Sequence, residues 1–201
     1  MSSHLKPLSW EVFEYHIEQV APKRSLYCIC IFVLNEGKKI QTQLQKMQNI
    51  AQNIDIIIAD GGSTDGALAL DFIRSVGVRT LLTKQGNGKL SAQMRMAFAY
   101  ALQEGYEGII TIDGNNKDDP RAIPIFANNL QKYDHIQGSR FIPGGQAINT
   151  PWLRYWARKL IHAPLISRAS SFAYTDTTNG FRGYSRQLLV DPKVAPFRDV
   201  F

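Results

Sequence analysis

Short apolar runs alternate with stretches of helical spacing through most of this chain. The runs LYCICIFVL, IDIIIAD and GIITID are nearly continuous and rich in β-branched residues, as expected for strands buried on both faces of a parallel sheet. Between them, apolar residues recur at helical spacing, as in 38–53. The alternation predicts a Rossmann-like α/β fold, with a mostly parallel sheet, right-handed crossovers and helices on both faces.

Further elements follow the same pattern. We expect two more strands, at 78–83 and 135–138, and three more helices, at 65–75, 88–103 and 120–131. Near the N-terminus, Ser9 can cap a helix that continues to about Val20, so about residues 1–24 are predicted to form a helical extension. The 201 residues suit a single domain, 1–201, that buries a core without disulfides.

Composition bears on compartment and partners. Cys28 and Cys30 lie two apart in an apolar run, so a strand would point both to one face of a reduced core. Residues 1–6 lack the pattern of a secretory signal, and no apolar run approaches the roughly 20 residues that span a bilayer, which favours the cytoplasm. The net charge of +6 favours anionic partners. Nucleic acid is not expected among them, because the aromatic residues are not interleaved with a basic face.

Polar residues end four of the apolar runs, which is where an open parallel sheet binds ligands. They are Asn35-Glu36, 60–65 (DGGSTD), 113–120 (DGNNKDDP) and 138–140 (GSR). Each segment alone is weak evidence for a binding site, since DGGSTDG could be only a turn with a helix cap. Asp113 and Asn115 place two oxygen-bearing side chains just past a strand, which suits Mn²⁺ or Mg²⁺ bridging a diphosphate, although a capped loop explains the pattern too.

Five segments between Val33 and Arg186 carry a resemblance to a known family. They are VLNEG, IIIADGGSTDG, LSAQMRMAFAYA, IITIDGNNKDDP with GSRF, and DTTNGFRGYSR. In this order they resemble family 2 glycosyltransferases of the GT-A fold, particularly the polyprenyl-phosphate sugar synthases, and the set is more specific than any one motif. The resemblance implies a nucleotide-diphosphate sugar donor and, for the synthases, a polyprenyl-phosphate acceptor.

The resemblance also implies roles for single residues. The donor-binding positions are Asn35, Glu36, Asp60, Gly62, Ser63, Asp65, Asp113 and Gly114. The metal ligands for Mn²⁺ or Mg²⁺ are Asp113 and Asn115. Arg140 and Arg182 would face phosphate charge and Asp176 matches the acidic position near the acceptor, so these three form the predicted catalytic set.

The chain departs from the family pattern in three places. The family often has a second carboxylate directly after the one that matches Asp60, used on the nucleobase, whereas this chain has Gly61. The family's metal motif is commonly Asp-x-Asp, whereas Asn115 is a neutral and weaker ligand. Relatives usually continue past a helix that matches DTTNGFRGYSR, so we expect a partial protein with a truncated acceptor side.

The expected activity is an inverting transfer of the donor's sugar to a polyprenyl phosphate or a cell-surface glycan precursor. A lipid phosphate oxygen is already anionic and needs no strong base, whereas a hydroxyl acceptor would make Asp176 the candidate base. Two alternatives stay open. One is a sugar-nucleotide pyrophosphorylase, although VLNEGKKI lacks the Gly-rich loop of that class. The other is a non-catalytic nucleotide-sugar-binding protein.

A helix is predicted at about 151–168, and it bears on the acceptor. Apolar Trp152, Trp156 and Leu160 recur at i, i+4, and the same stretch carries basic Arg154, Arg158 and Lys159. The combination suits peripheral contact with a membrane interface, which would put the protein at the cytoplasmic face of a membrane. Core packing with solvated basic residues explains the pattern equally well.

Overall fold

The computed structural model of the chain describes residues 10–146 and 151–198, apart from the side chain of Arg154. Within these ranges the strands are β1 Tyr15–Gln19, β2 Tyr27–Val33, β3 Asp55–Asp60, β4 Thr80–Lys84, β5 Gly108–Asp113, β6 His135–Gln137 and β7 Arg182–Ser185. The α-helices are α1 Lys38–Lys46, α2 Leu70–Ser75, α3 Leu90–Gln103, α4 Ile123–Asn129, α5 Trp152–Ala157, α6 Ala163–Ser170 and α7 Arg186–Val190. Two 3₁₀ turns, Ile50–Gln52 and Pro120–Ala122, precede β3 and α4, and a π-helical turn, Arg158–His162, joins α5 to α6.

The strands form one mixed sheet in the order β1-β4-β3-β2-β5-β7-β6. The four central strands, β4, β3, β2 and β5, are parallel, whereas β1 and β7 pair antiparallel with β4 and β5. Strand β6 pairs antiparallel with β7 at the far edge. The prediction of a mostly parallel sheet is therefore confirmed for its centre, and the predicted strands at 26–34, 54–60, 78–83 and 108–113 all form within two residues of their expected bounds.

Helices cover both faces of the sheet, as predicted. One face packs Ile29, Ile31, Ile58 and Ile110 against the apolar sides of α1, α2 and α4. The other face packs Cys28, Cys30, Phe32 and Ile57 against α3 and α7. Because side chains alternate along a strand, β2 supplies residues to both layers, which explains why its run is apolar without interruption. Both cysteines are free and buried on one face, as expected.

The predicted N-terminal helix is wrong over the residues that the structure describes. Residues 15–19 form β1, which runs along β4 with Tyr15 opposite Lys84 and Gln19 opposite Thr80. The local spacing of apolar residues allowed a helix, but β4 otherwise offers an unpaired edge, and hydrogen bonding to that edge decides the conformation. The first nine residues of the expected extension lie outside the described ranges.

The helical expectation for DTTNGFRGYSR is also wrong, since the segment is a loop followed by β7. Phe181, Gly183 and Ser185 are buried and alternate with less buried neighbours, which is the period of a strand. The antiparallel pairing with β5 puts Arg182 opposite Thr111. This strand therefore carries Arg182 toward the carboxyl end of β5.

Candidate functional site

The carboxyl ends of β2, β3 and β5 lie side by side at one edge of the sheet. The register pairs Val33 of β2 with Asp60 of β3, and Phe32 of β2 with Asp113 of β5. The chain builds β3 and β4 on one side of β2 and then returns to place β5 on the other side, so strand order reverses at β2. Such a reversal opens a crevice beyond the strand ends. The predicted convergence of the Asp60 and Asp113 loops on one edge is confirmed.

The loops after β2 and β3 are hydrogen-bonded into one wall. The backbone N–H of Asn35 donates to Ser63 Oγ at 2.9 Å, and the Asn35 side-chain oxygen accepts from the Thr64 N–H at 2.8 Å. The Asp65 carboxylate accepts from the Gly37 N–H at 2.8 Å. Asn35 adopts a positive φ of 52°, a conformation that asparagine tolerates better than most residues. Asn35, Ser63 and Asp65 thus hold the wall in shape, and their predicted donor contacts stay predictions.

Asp60 is directed into its own turn. Its side chain is buried, and its carboxylate accepts from the Ser63 N–H at 3.0 Å and from Ser63 Oγ–H at 2.5 Å. The turn continues through Gly62, whose φ of 98° favours glycine and whose surroundings are open. The Asp60 carboxylate is therefore already satisfied within the loop, while the backbone of Gly61 and Gly62 remains accessible to a ligand.

Asp113 has a different environment. Its side chain is half-buried and makes no hydrogen bond with the residues that the structure describes. Burial and the nearby charge of Glu36 raise the pKa of Asp113, while Lys117 and Arg182 oppose the shift. A carboxylate in this condition is stabilised by a bound cation, which replaces the lost solvation.

Glycines give Asp113 its space. A β-carbon at Gly180 would lie 3.1 Å and 3.2 Å from the two carboxylate oxygens of Asp113. A β-carbon at Gly114 would lie 2.9 Å from Val33 Cγ2 and 3.0 Å from the Phe32 carbonyl oxygen. Larger residues at either position would therefore shift the loop or the carboxylate.

A cavity of about 360 Å³ opens beside Asp113. It is lined by Phe32, Val33, Leu34, Glu36, Gly61, Gly88, Lys89, Leu90, Gln93, Asp113, Gly114 and Asn115. A second cavity, of about 220 Å³, is also lined by Asp113 and includes Arg182, Thr178 and Tyr184. Asp113 thus lines both cavities, and the predicted residues Glu36, Gly114, Asn115 and Arg182 line one or the other.

The donor set for a metal is small but suitable. Among the described residues no group of three or more His, Cys, Asp or Glu side chains could hold an ion. The predicted ligands are the unbonded carboxylate of Asp113 and the amide of Asn115, whose Oδ1 accepts from the Lys117 N–H at 3.1 Å. The half-buried carboxylate of Asp118 is also near, since burial and the charge of Asp113 raise its pKa. This set fits a cation that takes its remaining ligands from water and from a diphosphate, as Mg²⁺ commonly does.

Arg140 and Asp176 form a two-point ion pair. Arg140 Nε donates to Asp176 Oδ2 at 2.6 Å and Arg140 Nη2 donates to Oδ1 at 2.9 Å. The Thr178 N–H also donates to this carboxylate. Burial alone would raise the pKa of Asp176, but the Arg140 guanidinium and the backbone N–H groups outweigh it and lower the pKa. Asp176 therefore stays ionised and orients Arg140.

Arg182 is fixed by backbone carbonyls. Its Nε donates to the Asn179 carbonyl at 2.9 Å and its Nη2 donates to the Thr177 carbonyl at 3.3 Å. Its positive charge still reaches Asp113 and opposes part of the rise in the pKa of that carboxyl. The structure thus places Arg182 beside Asp113, and Arg140 beside Asp176.

Two buried glutamines belong to the site but were not predicted. Gln43 of α1 donates to the Asp113 carbonyl at 3.0 Å and accepts from the Asn116 N–H at 2.7 Å, so it clamps the loop after β5. Gln93 of α3 lines the larger cavity. The signal was available for Gln43, because it lies on the same helical face as apolar Ile40 and Leu44, where a polar residue needs a partner.

The stretch from α5 to α6 is helical throughout, as predicted, but most of its apolar side chains are exposed. Trp152 is 73% exposed, and Leu160 and Leu165 are each 62% exposed. The core-packing interpretation is therefore wrong for these side chains within the described ranges. Phe141, which follows Arg140, contacts Tyr155 of α5 edge to face at 5.2 Å, so this stretch adjoins the Arg140 loop.

No helix in the part of the chain that the structure describes is both long and apolar enough to cross a membrane.

The chain belongs to a known family of transferases. The model of glycosyl transferase family 2 matches residues 28–191, which run from the second residue of β2 through β7 and include all the predicted site residues. The resemblance inferred from the five segments is therefore confirmed.

Curated relatives lie among the polyprenol-phosphate mannosyltransferases. An undecaprenyl-phosphate mannosyltransferase of Micrococcus luteus is 26% identical over 163 residues, which are 77% of this chain and 64% of that protein. A polyprenol monophosphomannose synthase of Mycolicibacterium smegmatis is 26% identical over 172 residues, which are 80% of this chain and 62% of that protein. The chain thus spans somewhat less than two thirds of the length of these relatives.

Solved structures share the fold. Glucosyl-3-phosphoglycerate synthase from Mycobacterium tuberculosis, crystallised with Mn²⁺, UDP and glucosyl-3-phosphoglycerate, superposes with a TM-score of 0.60 at 17% identity. The likeness covers 81% of this chain and 57% of that one. The same enzyme in complex with phosphoglyceric acid gives the same values. The GT-A form of the α/β fold is confirmed by this likeness, which concerns the fold alone.

Proposed function

We propose that this protein transfers a sugar from a nucleotide-diphosphate donor to a polyprenyl phosphate, with inversion at the anomeric carbon. The observation that carries the proposal is the unbonded, half-buried carboxylate of Asp113, in a cavity at the strand reversal of a family 2 glycosyltransferase domain. The relatives that act on polyprenol phosphates support the acceptor class.

Asp113 and Asn115 would hold a divalent ion, Mn²⁺ or Mg²⁺, which when bound neutralises charge on the donor's diphosphate. Around Asp113 the chain adds its own cations. Lys117 and Arg182 both act on Asp113 electrostatically, so their positive charge reaches the region where the leaving diphosphate gains charge. In the transfer, an acceptor oxygen forms a bond to the anomeric carbon as the bond to the diphosphate breaks, and the nucleoside diphosphate leaves with that electron pair.

The Arg140–Asp176 pair supports an anionic acceptor. Asp176 is ionised but its oxygens are occupied by Arg140 and Thr178, which makes it a poor base for a hydroxyl group. A phosphate acceptor needs no base, because its oxygen is already anionic. We assign Arg140 to phosphate charge and Asp176 to positioning Arg140, in place of the role of base.

The exposed stretch from α5 to α6 would bring the protein to an acceptor held in a membrane. Its apolar side chains could enter the boundary of a lipid layer, while Lys159 and Arg168 meet anionic headgroups. A cavity of about 330 Å³ lies between this stretch and residues 173–175, next to Phe141. We therefore propose peripheral contact with a membrane through residues 151–168.

Turnover of the purified protein tests the proposal. We would mix it with a panel of nucleotide sugars, with and without Mn²⁺ and a short-chain polyprenyl phosphate, and measure the released nucleoside diphosphate. Asp113→Ala should lower kcat/KM by about 100-fold or more, because charge stabilisation at the leaving group is lost. Asp71→Ala, at a fully exposed carboxylate on α2, is the matched control and should leave kcat/KM unchanged.

The outcome also separates the alternatives. If the protein binds a nucleoside diphosphate but releases no product from any sugar donor, it is a nucleotide-sugar-binding protein and not a transferase. Normal turnover by Asp113→Ala would remove Asp113 from the mechanism. The family match argues against the pyrophosphorylase alternative, as does the segment VLNEGKKI, which lacks the Gly-rich loop of that class.

A further inference from the structure

Strand β1 is the outermost strand of the sheet, and its outer edge is open. Among the residues that the structure describes, β1 pairs with β4 alone. Ile17, at the centre of the strand, is 45% exposed, and its neighbour His16 is exposed as well. An open edge can accept another strand, and proteins commonly block such edges with proline or lysine. The sequence of β1, YHIEQ, contains neither, so this edge is not protected in that way.

The pairing with β4 fixes which backbone groups point outward. The Glu14 carbonyl accepts from the Gln85 N–H at 2.9 Å, just before the first residue of β1. The Val20 N–H donates to the Arg79 carbonyl at 2.8 Å, just after the last. Because the direction of backbone groups alternates along a strand, the even-numbered residues face β4. The groups at the outer edge belong to the odd-numbered residues, Tyr15, Ile17 and Gln19.

A second copy of β1 fits this edge in the antiparallel direction. With Ile17 opposite the same residue of the second copy, Tyr15 of each copy lies opposite Gln19 of the other. All three residues present their backbone N–H and C=O groups outward, so the two strands exchange hydrogen bonds at Ile17 and on both sides of it. A single two-fold axis through Ile17 therefore satisfies the backbone groups along the whole length of β1.

The side chains of β1 are complementary in this register. His16 and Glu18 lie on one face of the strand, with His16 Nε2 3.9 Å from Glu18 Oε1. The two-fold axis places His16 of each copy directly opposite Glu18 of the other, at a non-hydrogen-bonded pair, where facing side chains are closest. The imidazole can donate an N–H to a carboxylate whether or not it is protonated. Two favourable cross-strand pairs therefore flank Ile17.

We propose that the outer edge of β1 binds a second copy of this chain, paired antiparallel about Ile17, so that the sheets of two protomers become continuous. The pairing strand has only five residues, so the contact is small and the dimer should be weak and dependent on concentration. The inference does not rest on the proposed function, because neither cavity at Asp113 is lined by a residue of β1.

Ile17→Cys tests the register. In the proposed pair the two Cα atoms at position 17 would lie about 5.5 Å apart, within the range that a disulfide spans. We expect a disulfide-linked dimer under mild oxidation, measured by non-reducing electrophoresis. Gln19→Cys is the control, since it is exposed at the same edge but would lie roughly 13 Å from its counterpart, and its yield of dimer should be several-fold lower. The native Cys28 and Cys30 are buried.

Ile17→Pro tests the backbone hydrogen bonds. Proline removes the outward N–H of residue 17 and spares the bonds to β4, which the even-numbered residues make. Sedimentation velocity over a range of concentrations should show a dimer for the parent protein and a monomer for Ile17→Pro. His16→Glu should weaken the dimer about tenfold, because two carboxylates then face each other, and adding Glu18→Lys should restore it.

The results can overturn the inference in three ways. A parent protein that stays monomeric up to its solubility limit does so, as do equal yields of disulfide in Ile17→Cys and Gln19→Cys. Leu160→Ser with Leu165→Ser removes exposed apolar side chains from the stretch between α5 and α6 and should dimerise like the parent protein. A dimer that this pair loses and Ile17→Pro keeps would place the contact on that stretch. Should Ile17→Pro fail to fold, the comparison of disulfide yields still decides.

Discussion

Three aspartates near the strand ends differ in whether other residues already satisfy their carboxylates. Asp60 is satisfied by Ser63, and Asp176 is satisfied by Arg140 and Thr178, whereas Asp113 has no hydrogen-bond partner among the described residues. A carboxylate that is already paired gains little from a new ligand, because its desolvation is already compensated. We therefore expect the Asp113 carboxylate to bind a cation.

Gly180→Ala tests how closely Asp113 must be placed. The new β-carbon would meet both oxygens of Asp113 at 3.1–3.2 Å, and it would push the carboxylate away from its present position. We expect affinity for a nucleoside diphosphate in Mn²⁺ to fall on the order of tenfold, since small displacements of a positioned group are costly. Titration calorimetry measures the change.

Gly183→Ala is the matched control, three residues further along the same segment. Its β-carbon would contact Leu130 at 3.3 Å and Ile136 at 3.4 Å, in the core and away from Asp113. This variant should lower the melting temperature and keep its affinity for the nucleotide. Equal affinity in Gly180→Ala and the parent protein would show that the Asp113 carboxylate is not a ligand in the bound state.

At the scale of elements, some strands could be predicted from their own sequence, whereas others form only because they pair with a neighbouring strand. The runs of β2, β3 and β5 were predictable because burial on both faces leaves a continuous apolar signal in the sequence. The local pattern of β1 was ambiguous, and only its pairing with the edge of β4 made it a strand. The same holds for β7, whose Gly183 and Ser185 carry little sequence signal but pair with β5.

Gln43 links α1 to the loop after β5. Its loss should lower both the stability of the protein and its affinity for a nucleotide. Gln43→Leu has nearly the same volume but leaves the Asp113 carbonyl and the Asn116 N–H without their partner. We expect the free energy of unfolding to fall by about 1–3 kcal/mol, the usual cost of buried groups left unpaired. Chemical denaturation followed by circular dichroism measures it.

The matched variant is Gln45→Leu, on the exposed side of the same helix, which should change the free energy of unfolding by less than about 0.5 kcal/mol. Nucleotide affinity should fall in Gln43→Leu and stay constant in Gln45→Leu, because only Gln43 touches the loop that carries Asp113. An unchanged affinity in Gln43→Leu would mean that the loop keeps its shape without the clamp.

Over the whole molecule, the sequence predicted the architecture and the edge of the sheet where the site lies. Strand ends could be read from apolar runs, and those ends fixed Asp113, Gly114 and Glu36 beside a common cavity. What could not be predicted was which polar groups would satisfy one another, because the partners of Asp176 and Gln93 come from distant parts of the chain. Folding, and no local pattern, decides those pairings.

Membrane contact belongs to this scale, since it depends on net charge and on the arrangement of whole surfaces. The chain has a net charge of +6, and the stretch from α5 to α6 combines exposed apolar side chains with Lys159 and Arg168. Apolar insertion and attraction to anionic headgroups would then add. We expect the protein to float with vesicles of phosphatidylglycerol and phosphatidylcholine at low salt, and to bind much less to phosphatidylcholine alone.

Leu160→Ser with Leu165→Ser should reduce flotation several-fold at unchanged melting temperature, because both side chains are 62% exposed and contribute little to the core. The control is Ile125→Ser with Tyr133→Ser, which removes two side chains of similar exposure, 62% and 61%, on and just after α4. If apolar exposure alone drove binding, both pairs would lose flotation equally. Loss confined to the Leu160 pair would locate the contact, and flotation that neither pair alters would exclude this stretch as the membrane-binding surface.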